Sequence, residues 1–110
     1  MSRGALQGEA ARLEEIRLNV LEERIDLDLQ LGRNAEVIAE LAVLRAAWPF
    51  RQRPIGRLML ALYRTGRQAE ALQVYRDARR LFIAELGLEP GPDLQRLESA
   101  LLKADPSLDL

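Results

Sequence analysis

An all-helical fold of about five helices is what the 110-residue sequence predicts, on three observations. Apolar residues recur at helical spacing through nearly the whole chain. Glycine and proline fall at a few points, Gly32, Pro49, Pro54, Gly56, Gly66 and the run Gly87 to Pro92, which divide it into segments of helix length. No segment alternates apolar and polar residues as a half-buried strand does.

The first helix is expected from Glu9 to Leu31. It carries two apolar stripes, Leu13, Ile16, Val20, Leu27 and Leu31 on one side and Leu18, Leu21, Ile25 and Leu29 on another, so both sides call for cover. Gly32 ends it, because glycine takes positive φ past a helix end without strain. A second helix, from about Ala35 to Ala47, gathers Val37, Ile38, Leu41, Leu44 and Trp48 and stops before Pro49, which disfavours helix at the residue preceding it. Pro54 suits the first turn of a third helix running to Thr65, with Ile55, Leu58, Met59, Leu62 and Tyr63 on its apolar side and Gly66 closing it. The fourth, Gln68 to Leu86, presents Leu72, Val74, Tyr75, Ala78, Leu81, Phe82 and Leu86. Leu88-Glu89-Pro90-Gly91-Pro92 cannot be helix interior, since proline lacks the amide donor. A last helix, Pro92 to Ala104, is expected to bury Leu94, Leu97, Leu101 and Leu102, with Asp93 placed favourably in its first turn.

The two closing glycines, Gly32 and Gly66, stand 34 residues apart, and 34 is the period of the tetratricopeptide helical hairpin. The offset aligns Gly32-Arg33 with Gly66-Arg67, Val37 with Ala71, Leu41 with Tyr75 and Leu44 with Ala78. In the second copy Ala71 and Ala78 are small where two helix axes must approach, and Tyr75 is the large ring that fills the groove between. Gly32, Gly66, Ala71, Tyr75 and Ala78 are therefore assigned to repeat packing, and the fold is expected to be tetratricopeptide-like.

Composition narrows the chemistry. Apolar residues make 48% of the chain and charged residues 30%, the balance of a folded domain. There is no cysteine or histidine, so thiolate and imidazole catalysis, disulfides and all zinc ligands but carboxylates are absent. Adjacent acids such as Glu14/Glu15, Glu22/Glu23 and Asp26/Asp28 point in different directions from a helix and read as solvated faces. The glycines sit singly, with no phosphate-cradling loop. The chain is thus read as a non-enzyme that takes no cofactor. The opening MSRGALQGEAARLEE contains no apolar run of signal-peptide length, and no stretch could span a bilayer, so a cytoplasmic location without a membrane partner is expected. Residues 1–110 read as a single domain, with the polar, glycine-containing residues 1–8 flexible ahead of it.

The stretch LMLALYRTGRQAEALQVYRDARRLFIAELGLEPGPDLQRLE, Leu58 to Glu98, resembles the bacterial transcriptional activator domain of the Streptomyces antibiotic regulatory protein family. The likeness runs from about Ala10 to Leu108 and is densest in Leu58 to Arg76 and in Glu85-Leu86-Gly87-Leu88-Glu89-Pro90. It implies an all-helical, tetratricopeptide-like module that follows a winged-helix DNA-binding domain and activates transcription. These 110 residues hold no winged-helix segment. Members commonly carry an acidic residue in the segment matching Arg51-Gln52-Arg53, where this chain has Gln52 between two arginines. The partners implied are the upstream winged helix, a second copy of the chain and RNA polymerase subunits, with DNA met only indirectly.

Charge is unevenly distributed. Residues 1–50 hold 6 Arg and 9 acids, net −3; residues 51–80 hold 8 Arg and 2 acids, net +6; residues 81–110 hold 2 basic and 6 acidic residues, net −4. The central arginines are either a phosphate footprint or the partners of acids on neighbouring helices, and the acidic balance of the whole favours the second. Arg51, Arg53, Arg57, Arg64 and Arg67, with Trp48 and Phe50, are the candidate partner-binding residues. The two aromatics are either an exposed anchor or a plug between hairpins. Two further readings of function stand beside the regulatory one: a stand-alone helical-repeat adaptor gripping a partner protein or peptide, and a nucleic-acid binder in its own right. A winged helix encoded upstream separates the first two, and a salt-dependent DNA affinity marks the third.

Overall fold

The structure is a computed structural model and describes residues 3–109. Five α-helices follow one another: α1 (Arg3–Gln30), α2 (Asn34–Ala47), α3 (Gln52–Arg64), α4 (Gln68–Leu86) and α5 (Pro92–Leu102), with a single 3-10 turn at Pro106–Leu108. Among the described residues there is no strand. α3 is the central element. It packs most closely on α2 and α4 and also touches α1 and α5, and Ile55, Leu58, Met59, Ala61 and Leu62 on it are buried.

Glycine closes two of the helices in the same way, 34 residues apart. Gly32 and Gly66 have φ of 77° and 80°. Behind each, the next amide reaches back to the last turn, Arg33 N–H to the Asp28 carbonyl (2.9 Å) and Arg67 N–H to the Leu62 carbonyl (2.8 Å). These bonds satisfy carbonyls the helix leaves open. Ala71, Tyr75 and Ala78 of α4 are buried.

Several boundaries differ from the sequence expectation. α1 begins at Arg3 rather than Glu9, so residues 3–8, expected to be flexible, continue the helix; Ala5, Leu6 and Gln7 are good helix formers with nothing to stop them. The remainder of that expectation, Met1 and Ser2, lies outside the described residues. α3 begins two residues ahead of Pro54, where the missing proline amide falls among the donors a first turn leaves unpaired. Gly56 lies within α3, inside the span expected for the third helix, and is buried: a Cβ there would sit 3.2 Å from Leu94 Cδ2 and 3.6 Å from Leu97 Cδ2. Its missing side chain is what lets α5 cross α3. α5 stops at Leu102 because Ala104 turns to φ 48°, and Asp105 N–H bonds the Ala100 carbonyl at 3.0 Å. Leu102, expected inside, is consequently exposed.

The two stripes of α1 also part company. Leu18, Ile25 and Leu29 enter the core with Leu21 partly covered, whereas Leu13, Ile16, Val20, Leu27 and Leu31 are 47–66% exposed. One side of the helix is covered and the other is bare.

Candidate partner interface

Four polar side chains of α1, Glu15, Asn19, Glu22 and Asp26, follow one another at spacings of four, three and four, so they line a single edge of the helix beside the buried stripe. The start of α3 lies against that edge. Arg51, in extended backbone just ahead of α3, grips Glu22 with two nitrogens: Nε donates to both carboxylate oxygens at 2.9 and 3.1 Å, and Nη2 donates to Oε1 at 2.8 Å. Its Nη1 donates to Glu15 Oε2 at 2.7 Å and its Nη2 to Asn19 Oδ1 at 2.9 Å. One turn further along, Arg53 Nη2 donates to Asp26 Oδ2 at 2.7 Å and Arg57 Nε to Asp26 Oδ1 at 2.5 Å. The fork of arginine suits such bidentate grips, which lysine cannot make.

The electrostatics follow from this geometry. Glu22 is only 2% exposed, a buried charge tolerable because it is paired. Bonding to Glu22 and then to Glu15 raises the Arg51 pKa. Burial pushes the Asp26 carboxyl up, but the guanidinium hydrogen bonds of Arg57 and Arg53 outweigh it and hold the group below the ordinary carboxylate range. Glu22 and Asp26 are therefore members of an interhelical seam and not the solvated acids their sequence neighbours suggest.

The other candidates scatter. Arg64 Nε donates to the Leu108 carbonyl at 2.7 Å, tying the C-terminal turn to α3, and burial lowers its pKa. Arg67 pairs with Glu70 one turn along on the surface. The remaining arginines of the central block also find partners in this chain: Arg76 bonds Gln73, Arg79 pairs with Glu89, and Arg80 with Asp77. Arg51, Arg53 and Arg57 thus meet acids of the N-terminal block and Arg79 one of the C-terminal block, while Arg67 and Arg80 pair within residues 51–80. Trp48 is half-buried with the Arg17 guanidinium over its ring, 5.7 Å from the centroid. Phe50, 40% exposed, meets Phe82 edge-on, centroids 5.7 Å apart. Together with Ala11, Glu14, Leu18, Pro49 and Arg51 these two aromatics line a cleft of about 370 Å³ between α1 and the α2–α3 link.

Such an array, helical hairpins stacked around a central helix and locked by an ion-pair seam, defines a helical-repeat domain. The chain belongs to the bacterial transcriptional activator domain family, whose model matches residues 2–102. It is 55% identical over 93% of its length to the regulatory protein AfsR of Streptomyces coelicolor, and 46% identical over 92% to the regulatory protein DnrI of Streptomyces peucetius. It spans 10% of the first and 37% of the second. In structure it matches Mycobacterium tuberculosis EmbR, solved with a low-affinity phosphopeptide, at a TM-score of 0.91 and 30% identity, covering 94% of this chain and 27% of that one. AfsR and DnrI are named as regulatory proteins and EmbR as a transcriptional regulatory protein. No helix among the described residues is long and apolar enough to cross a membrane.

Proposed function

We propose that this chain is the regulatory and protein-interaction module of a DNA-binding transcriptional activator in the cytoplasm. It couples an upstream winged-helix domain to a second copy of the regulator and to RNA polymerase, and meets DNA only through the winged helix. The observation that carries this reading is the family match over residues 2–102, in relatives of which the domain forms a minor part. In this reading residues 1–110 are a single domain, supported by the one core that the described hairpins share around α3.

Within the unit, the Trp48–Phe50 cleft is the surface assigned to an external protein partner. Aromatic side chains bring large contact area at little entropic cost, and Arg51 stands at its rim already oriented by α1. Arg53, Arg57 and Arg64 serve the interior of the module by holding α3 to α1 and to the C-terminal turn, and Arg67 the surface of the α3–α4 hairpin.

Coupling has a measurable signature. Two winged helices held together read paired half-sites through effective concentration, without any new base contact. The regulator carrying this domain is expected to bind a paired site at least about tenfold more tightly than an isolated half-site, and deleting the domain removes that gain while half-site binding survives. Equal affinity for the two DNAs would end the coupling mechanism. Phe50→Ala, which leaves the seam intact, is expected to lower transcription in a reconstituted system without changing DNA affinity.

A further inference from the structure

The Trp48–Phe50 cleft joins an apolar lining to a rim whose charges do not balance. Ala11, Leu18, Ala47 and Pro49 lie beside the two rings. At about 370 Å³ the space falls at the lower end of the range in which proteins hold small ligands, so it suits a side chain or two rather than a whole helix. On one part of the rim Glu14 and Arg17 pair with each other, and the Arg17 guanidinium lies over Trp48. Those two charges cancel. Glu15 is served less well. Its carboxylate takes one hydrogen bond, from Arg51 Nη1 at 2.7 Å, while Nε and Nη2 of the same guanidinium turn to Glu22 and Asn19. One cation thus answers two carboxylates. Glu22 is sealed at 2% exposure and Glu15 is 57% exposed, so the excess negative charge is presented at Glu15.

From this imbalance we infer that the partner segment seated in the cleft is basic and apolar: a large aliphatic side chain against Trp48 and Phe50, with an arginine or lysine beside it on Glu15. The inference rests on the assignment of this cleft to a protein partner and names the chemistry of that partner. A carboxylate accepts several hydrogen bonds, so a cation at Glu15 adds a contact without breaking the one from Arg51. Aromatic rings at the same site favour a neighbouring cation through their faces. An acidic segment finds no idle guanidinium there. To bind it, Arg17 or Arg51 must leave Glu14 or Glu15 unpaired, and like charges then stand together, which selects against such a partner. A neutral segment gains the apolar contact alone.

Trp48 is the only tryptophan of the chain, so its emission reports occupancy of the cleft. The probes are three blocked peptides without aromatic residues, acetyl-ALRLRA-amide, acetyl-ALQLQA-amide and acetyl-ALELEA-amide, titrated into the 110-residue chain at low salt. Expected is a saturable change in emission with Kd below about 1 mM for the arginine peptide. It should bind at least about fivefold more tightly than the glutamate peptide, with the glutamine peptide between them, and the gap should narrow at about 0.5 M salt. Glu15→Gln is expected to erase the gap and Glu15→Arg to reverse it, both with unchanged helical dichroism. Glu70→Gln, in the exposed pair with Arg67 on α4, should leave it as it was. Phe50→Ala should weaken all three peptides alike, since it removes contact area and no charge. Emission unmoved by every peptide at about 5 mM overturns both the basic partner and the assignment of the cleft. Binding without preference, a preference for the glutamate peptide, or a preference that survives Glu15→Gln overturns the basic partner and leaves the cleft assignment standing.

Discussion

The Glu22–Arg51 contact shows how far position decides the value of an ion pair. Glu22 is 2% exposed and Arg51 18%, against 58% for Glu70 and 45% for Arg67. Removing a partner from a buried pair strands a charge that water cannot reach, while an exposed pair loses almost nothing. Glu22→Ala is expected to cost about 2–3 kcal/mol in urea denaturation, less than the full penalty because Arg51 keeps Glu15 and Asn19; Arg67→Ala should cost under about 0.5 kcal/mol. Asp26 gives the seam a pH dependence. Its carboxyl titrates lower in the folded chain than in the unfolded one, so its contribution is present in full above the unfolded value of about 3.9 and is lost as pH falls through the folded value. Asp26→Asn should therefore lower stability at pH 7 and flatten the fall in acid, which urea midpoints taken at pH 7, 4 and 3 would reveal; parallel curves would deny Asp26 that role. Both acids were legible as charges in the sequence and illegible as partners. Their 4-3-4 spacing with Glu15 and Asn19 was the available signal, but only the placement of α3 shows what it faces.

At the scale of elements, helix ends were far easier to read than helix crossings. A cap is a local event, and Gly32, Gly66 and Gly87 announce theirs because each takes positive φ. Ala104 takes the same conformation without being glycine, at φ 48°, which is why the end of α5 was misplaced. The left-handed region costs a non-glycine residue about 1 kcal/mol, so Ala104→Gly is expected to stabilise the domain by about 0.5–1 kcal/mol and raise its Tm by a few degrees in calorimetry. Gly56 is the opposite case. Its backbone needs no glycine, yet the α3–α5 contact does: Leu94 and Leu97 occupy the space a side chain would take. Gly56→Leu is expected to destabilise by about 1–3 kcal/mol through overpacking. Its proton–deuterium exchange should rise in α5 more than in α2, since α5 is the helix displaced. Nothing in a single sequence distinguishes a glycine that breaks a helix from one that admits a neighbour.

For the whole molecule, the open question was which of α1's two apolar stripes the fold would cover. Periodicity counts apolar positions but carries no information about the number of neighbours, so both stripes read alike. In the fold, the first buried residue of α1 is Leu18, and its preceding turns touch little of the body. Helices of this kind owe their stability to tertiary packing, so in the monomer the N-terminal turns should add almost nothing. Removing residues 1–9 is accordingly expected to change the unfolding free energy by under about 0.5 kcal/mol, which urea denaturation of the intact and the shortened chain would measure. A larger loss would mean that the first turns of α1 support the core directly, in contradiction to their exposure.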